Sequence, residues 1–227
     1  MIKNFLFLTL FLIGINSFAQ EESSFKIPDY KAIEKAIKDK KSSYYYPKLM
    51  ERFVSNDTLL TNEDYQHLYL GYVFQPGYNA FWKSPDELKL REFYGKEKLE
   101  VKDYDEIIKL ANHSISDFPF DLRQLNFLSY VYHLKGDDKS ADMASLKFHK
   151  IINSILSTGD GKQCESGFHV ILVEHEYVLL NVFEIEANSQ ALVGNCDYLS
   201  FEKGKYNVDG IYFNIEKMLE NESKALK

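Results

Sequence analysis

Between Tyr30 and Ile155 the apolar residues recur every three or four positions, and a cap or breaker separates each stripe from the next. That periodicity belongs to amphipathic helices stacked on one another, and it excludes a strand-built fold for this part of the chain. The spacing predicts seven helices. The first covers residues 29–40, with Tyr30, Ile33 and Ile37 on one face. The second opens at Pro47, which suits a first helical turn, and carries Leu49, Met50, Phe53 and Val54. The third has a capping box, Thr61 with Asp64, ahead of Tyr65, Leu68, Tyr69, Tyr72 and Val73, and ends at Pro76-Gly77. A fourth starts with Ser84 as cap and Pro85 at its first position, and closes at Gly95. The fifth begins near Asp103 and aligns Tyr104, Ile107, Ile108, Ala111 and Ile115. A sixth runs from Asp121 to Lys135 and stops at Gly136; the seventh, Lys139 to Ser157, turns Ala141, Ala144, Phe148, Ile151, Ile152 and Ile155 inward.

After Thr158 the pattern changes. Gly159-Asp160-Gly161 reads as a loop, and runs rich in β-branched and aromatic residues follow. Phe168 to Val173 and Tyr177 to Phe183 read as two strands, with Glu174-His175-Glu176 as the hairpin turn between them. Cys196 to Phe201 and Gly210 to Asn214 read as further strands, and Glu216 to Asn221 as a short closing helix. The fold class is therefore α+β: a helical region over residues 20–158, then a small antiparallel sheet and terminal helix over 159–227. The boundary near residue 160 separates either two domains or two layers of one continuous domain, 20–227.

The first nineteen residues carry a different message. Lys3 precedes an unbroken apolar run from Phe5 to Ile15, and Ser17 and Ala19 stand at the small positions ahead of a cut before Gln20. That is the layout of a secretory signal peptide, too short to span a bilayer as an anchor. Cleavage leaves 208 residues (227 minus 19) and moves the net charge from −7 to −8, because Lys3 is lost. An exported, soluble, acidic product is expected, periplasmic or secreted. It has no membrane insertion after cleavage, no lipobox cysteine to make it a lipoprotein, and no basic surface for nucleic acid. Export also changes the reading of Cys164 and Cys196. They are either a disulfide closing a loop of about 33 residues, which contributes about 3.5 kcal/mol, or two separate buried thiols.

Two resemblances add to this. The helix pair from Leu122 to Ile155 resembles a tetratricopeptide repeat, with Leu125, Leu128, Tyr132 and Ala141 at its large, Leu, Tyr and Ala positions. Such a repeat implies a protein-binding helical hairpin, although ordinary close helix packing accounts for the same residues. Thirteen aromatics also lie between Tyr44 and Tyr94, against 15% aromatic residues in the whole chain. Here Tyr45-Tyr46-Pro47, Leu49, Asp57, Leu60-Thr61, Asp64-Tyr65, Leu68-Tyr69, Gly71-Tyr72 and Tyr78 carry the second resemblance, as do the later segments GKQCESGFHVILVEHEYVLLNV and GIYFNIEK. They resemble the uncharacterised domain-of-unknown-function 4919 family of exported bacterial proteins. The resemblance implies a bacterial, signal-bearing protein and supplies no activity or catalytic residue.

Read as chemistry, Tyr69, Tyr72, Tyr78, Phe81 and Trp82 could offer rings and hydroxyls to a peptide or an envelope glycan; the alternative is that the tyrosines build core. The six histidines (His67, His113, His133, His149, His169 and His175) form no HExxH, and the two cysteines form no CxxC, so neither a metal nor a cofactor is expected. No GxSxG, GxxxxGK[ST] or GxGxxG is present. Asp103, Asp105, Asp137 and Asp138 stand at helix starts, where the helix dipole accounts for them. The expectation is a non-enzymatic binding module of the cell envelope. The alternative is an exported hydrolase whose site gathers His, Asp and Glu from distant positions.

Overall fold

A computed structural model describes residues 25–225; the signal peptide expected over residues 1–19 lies outside them. Seven helices follow one another up to residue 156: α1 (Tyr30–Lys38), α2 (Tyr46–Val54), α3 (Asn62–Gly71), α4 (Glu87–Tyr94), α5 (Tyr104–Asp117), α6 (Leu122–Lys135) and α7 (Asp138–Leu156). Their ends are those that local chemistry dictates. The Thr61–Asp64 capping box opens α3, with both reciprocal bonds formed. Gly136 closes α6 in the left-handed region at φ 81, where a side chain would be strained. The start of α4 differs from expectation: Asp86 stands at the cap, and Ser84 acts two residues earlier by accepting the Asp86 N–H at 3.2 Å.

The α6–α7 hairpin is the backbone of this half. Ala141 is small enough to let α7 approach α6, and Leu125, Leu128 and Val131 are buried on the facing side. On α2, Val54 points outward at 64% exposure, against the inward position its spacing suggested.

Beyond Thr158 the order is β1 (Phe168–His169), α8 (Val173–Val182), β2 (Ser189–Val193), β3 (Cys196–Ser200), β4 (Gly210–Asn214) and α9 (Glu216–Ala225). The architecture is α+β, with two corrections. The segment from Tyr177 to Phe183 is not a strand, and Glu174-His175-Glu176 is not a hairpin turn; together they form α8. This helix buries His175, Glu176, Val178, Leu179 and Leu180, so its sequence lacks the polar face that marks a surface helix. The sheet is mixed rather than antiparallel, in the order β1-β4-β3-β2, because β1 runs parallel to β4. The strand β2, unanticipated, is exposed along its whole length; it exists because the two-residue turn at Gly194 (φ 62) folds it back on β3.

One apolar cluster runs from Ile33 to Met218 and so draws on residues both before and after position 160. A smaller one lies between α4, α5, α6 and α7 and contains Leu90, Leu110, Ala111, Leu128 and Ala144. Cys164, in a short 3₁₀ turn, is disulfide-bonded to Cys196 at the start of β3. Reducing this bond, or replacing both cysteines by alanine, is expected to lower stability by about 2–4 kcal/mol. Guanidinium unfolding should show an earlier midpoint at unchanged slope; an unmoved midpoint would mean that the bridge constrains nothing.

Candidate functional site

The site begins with the way α2 ends. Asn56 takes a left-handed conformation (φ 61), which Asn tolerates, and the chain then closes a Schellman motif: the Asn56 N–H donates to the Phe53 carbonyl and the Asp57 N–H to the Arg52 carbonyl. Asp57 accepts Arg52 Nε at 2.7 Å and the Leu59 N–H at 2.8 Å, and these bonds hold its carboxyl below the usual carboxylate range. The capping box of α3 fixes the far end of the loop. Residues 55–61 are thus a rigid ledge, and Ser55, Asn56 and Thr58 project from it along one wall of a cavity of about 570 Å³.

Helices α5, α6 and α7 form the other walls. The cavity lies at the seam between the two apolar clusters, where Ile115 packs against both. Its floor is Leu125, Leu128 and Ala144, with Ile115 and Met143 beside them. On α7 the lining residues Lys139, Ser140, Met143, Ala144 and Lys147 follow helical spacing and form one stripe. Tyr132 Oη accepts a hydrogen bond from Asn112 Nδ2 at 3.1 Å, which orients both groups on the opposite rim.

Lys147 is the unusual member. Its Nζ stands 4.5 Å from the centre of the Phe53 ring, an attractive cation–π position, and it has no ion-pair partner among the described residues. Partial burial disfavours its charged form and pulls the ammonium down to about 8.

A second group of titratable side chains lies in the core. Tyr69 is fully buried, and its hydroxyl meets His175 Nδ1 at 2.8 Å while accepting the Ile171 N–H at 3.3 Å. His175 Nε2 lies 3.0 Å from the Phe120 carbonyl, which can only accept, so the proton sits on Nε2 and Nδ1 accepts from Tyr69. Both nitrogens are therefore committed, and burial pushes the imidazole down to about 3. Burial likewise holds His169 near 4, with the Lys217 charge adding to the effect. Glu176 is wholly buried and no donor reaches either carboxyl oxygen; burial, and then the charge of Asp197, raise it to about 9. When protonated it can donate toward Asp197, whereas the ionised form has no donor to meet it. Glu176 is enclosed by the core beside Asp197.

The expected aromatic surface is not assembled. Tyr69 and Tyr78 are core residues, and the Tyr78 hydroxyl donates to the Ile171 carbonyl at 3.0 Å. Tyr72 and Trp82 are half-buried against Phe118, and Phe81 alone stands out at 57% exposure. The histidines do not converge with carboxylates into a cleft, and among the described residues no three His, Cys, Asp or Glu side chains gather to hold a metal ion. Sequence reading did not single out Lys147, Lys139, Ser55, Asn56 or Thr58. The one available signal was Lys147 on the same face of α7 as Ala144, at i and i+3.

A family model described as a domain of unknown function (DUF4919) matches residues 31–224. No curated protein and no solved structure matches the chain.

Two outcomes follow from these environments. Below about pH 6.5 the unfolded chain binds protons on His169 and His175 that the folded chain refuses, so stability falls on acidification toward pH 4. Above about pH 4.5 the unfolded chain ionises Glu176 while the folded chain keeps it protonated to about 9, so this carboxyl lowers stability as pH rises. Each group contributes up to about 1.4 kcal/mol per pH unit, which places the maximum near pH 6–7. Glu176→Gln is expected to flatten the limb above pH 7 in thermal melts and leave the acid limb in place. An unchanged alkaline limb would contradict the assignment. Lys147→Met keeps the apolar stem and removes the disfavoured charge. It is expected to leave stability at pH 7 unchanged or raise it by up to about 1 kcal/mol, discounted for partial exposure; a clear loss in urea unfolding would mean that Lys147 is structural.

Proposed function

The chain belongs to the DUF4919 family of domains of unknown function, and we propose that it is an exported, non-enzymatic binding module whose helical half takes up a component of the cell envelope in the cavity between the 55–61 ledge and α5, α6 and α7. The observation that carries this reading is the composition of the lining. An apolar floor meets hydroxyls, amides and two lysines, with no histidine, cysteine or carboxylate among the lining residues.

Hydrolysis by protein side chains needs a nucleophile or activated water, a base within hydrogen-bond reach and a group to orient that base. The cavity offers hydroxyls, and among the described residues no hydrogen bond joins any of them to Lys147, the one lining group whose burial brings it toward a base. His175, the most buried histidine of the core, has both nitrogens occupied and no access to solvent. The exported-hydrolase reading therefore has less support than binding. The size of the cavity falls within the range of small-ligand sites, which favours a small envelope component over a folded protein partner. The Cys164–Cys196 bond is consistent with an oxidising compartment, and the signal-like first nineteen residues point the same way.

The test is direct. The purified protein is incubated with envelope extract, reisolated and denatured, and the released small molecules are identified by mass spectrometry. A compound retained by the wild type and lost from Ser140→Phe, which narrows the cavity from a half-buried lining position while circular dichroism shows the fold intact, is expected. Equal recovery from both, or nothing from either, would remove the cavity from consideration.

A further inference from the structure

Resting on the binding-module reading above, we propose that the occupant of the cavity is a small amphipathic anion, its carboxylate or phosphate head held by Lys147 and its apolar part laid along Ile115 and Met143.

The argument starts from charge. The chain carries a net charge of −7, and among the described residues several of its cations pair with carboxylates while other lysines stand alone in solvent. Lys96 pairs with Asp103 at 2.8 Å, Lys205 with Glu186 at 2.8 Å, Arg52 with Asp57 at 2.7 Å and Arg123 with Glu174 at 3.0 Å. Lys139 and Lys147 have no such partner among the described residues, and both line the same cavity, whose lining holds no carboxylate. In an acidic protein, two unpaired cations facing one concavity form a site complementary to negative charge.

Lys147 is also the better placed of the two. It is partly withdrawn from water, with its ammonium over the Phe53 ring, so it gains more from an incoming anion than a solvated lysine would. An ammonium is a point charge without the planar fork of a guanidinium, and it therefore accepts a carboxylate or a phosphate without strong preference. The hydroxyls of Ser55 and Thr58 and the Asn56 amide lie on the adjacent ledge and can donate to the same head group.

The floor sets the rest of the ligand. Ile115 and Met143 are half-buried apolar lining residues above the buried Leu125, Leu128 and Ala144, and an inorganic anion would leave them wet. A neutral apolar ligand would cover the floor but strip water from an ammonium that has no counter-charge. Only a molecule that carries both an anionic head and an apolar body satisfies both walls.

Isothermal titration calorimetry on the purified protein tests this with four probes, each below its critical micelle concentration: octanoate, octyl phosphate, octanol and inorganic phosphate. At least one octyl anion is expected to bind about tenfold or more tightly than octanol or inorganic phosphate, and the ratio of octanoate to octyl phosphate assigns the head group. Lys147→Met should weaken the anion about tenfold and leave octanol unchanged, while Lys147→Arg should keep the preference. Circular dichroism and melting temperature confirm that both variants are folded. Octanol binding as tightly as octanoate, inorganic phosphate matching octyl phosphate, or an unaffected Lys147→Met would each overturn the proposal and leave the cavity a binding site of another kind. Silence from all four probes also overturns it; if the extract experiment is silent as well, the binding-module reading falls with it.

Discussion

The hydrogen bond between Tyr69 and His175 is the interaction through which the two parts of this molecule are joined. Tyr69 lies on α3 and His175 on α8, 106 positions later, and the same imidazole reaches the Phe120 carbonyl between α5 and α6. The hydroxyl of Tyr69 also takes the Ile171 N–H, so one side chain satisfies backbone and imidazole together. In a dry core each of these groups would be costly if left alone, and each is satisfied only when the helices and the β1–α8 segment are docked. Tyr78 adds a second bond to Ile171 from the other direction. The aromatic wealth of residues 44–94 is explained by this arrangement. The rings fill the core and their hydroxyls serve backbone groups of the later half, rather than a surface.

That docking also determines where a cavity can form. Helix α7 contributes two faces. Ile151, Ile152 and Ile155 belong to the large apolar cluster, whereas Ala144 belongs to the smaller one. Ile115 packs against both clusters, and the stripe of α7 from Lys139 to Lys147 faces the space left at their boundary. The ledge after α2 comes close without filling the space, held back by its own Arg52–Asp57 and Thr61–Asp64 bonds. The cavity is thus a consequence of rigid neighbours that cannot collapse onto one another.

Much of this was legible in the sequence. The seven helical stripes up to residue 156, the capping box, the stop at Gly136 and the inward face of α7 follow from local rules, and local rules decide them. What escaped is equally instructive. The run from Val173 to Val182 shows no apolar stripe at helical spacing, because α8 buries His175 and Glu176 along with Val178, Leu179 and Leu180, and its short apolar stretch has the composition of a buried strand. Leu172 caps it without a side-chain bond, so no start signal was present either. β2 has no buried face and owes its existence to pairing with β3. The cavity residues were invisible for a different reason. Ser55, Asn56, Thr58, Asn112 and Lys147 are ordinary surface types, and nothing in their spacing says that three separate segments will bring them around one concavity.

The placement of Lys147 bears on what the cavity is for. A lysine whose stem packs at a cluster edge normally lets its ammonium reach free into water or to a carboxylate; here it turns over Phe53, partly withdrawn from water, beside a lining that holds no carboxylate. An uncharged side chain of equal length would pack as well and avoid the desolvation, so fold stability alone does not account for the residue. Left-handed Asn56, by contrast, is accounted for by the helix end it closes, and it fixes the shape of the ledge in doing so. The core behaves in the opposite way: His175 is kept neutral with both nitrogens satisfied. Charge is thus suppressed where the molecule must hold together and retained, unpaired, where it faces the cavity. Two lysines on a lining that holds no carboxylate, one of them partly withdrawn from water, favour a counter-charge arriving from outside.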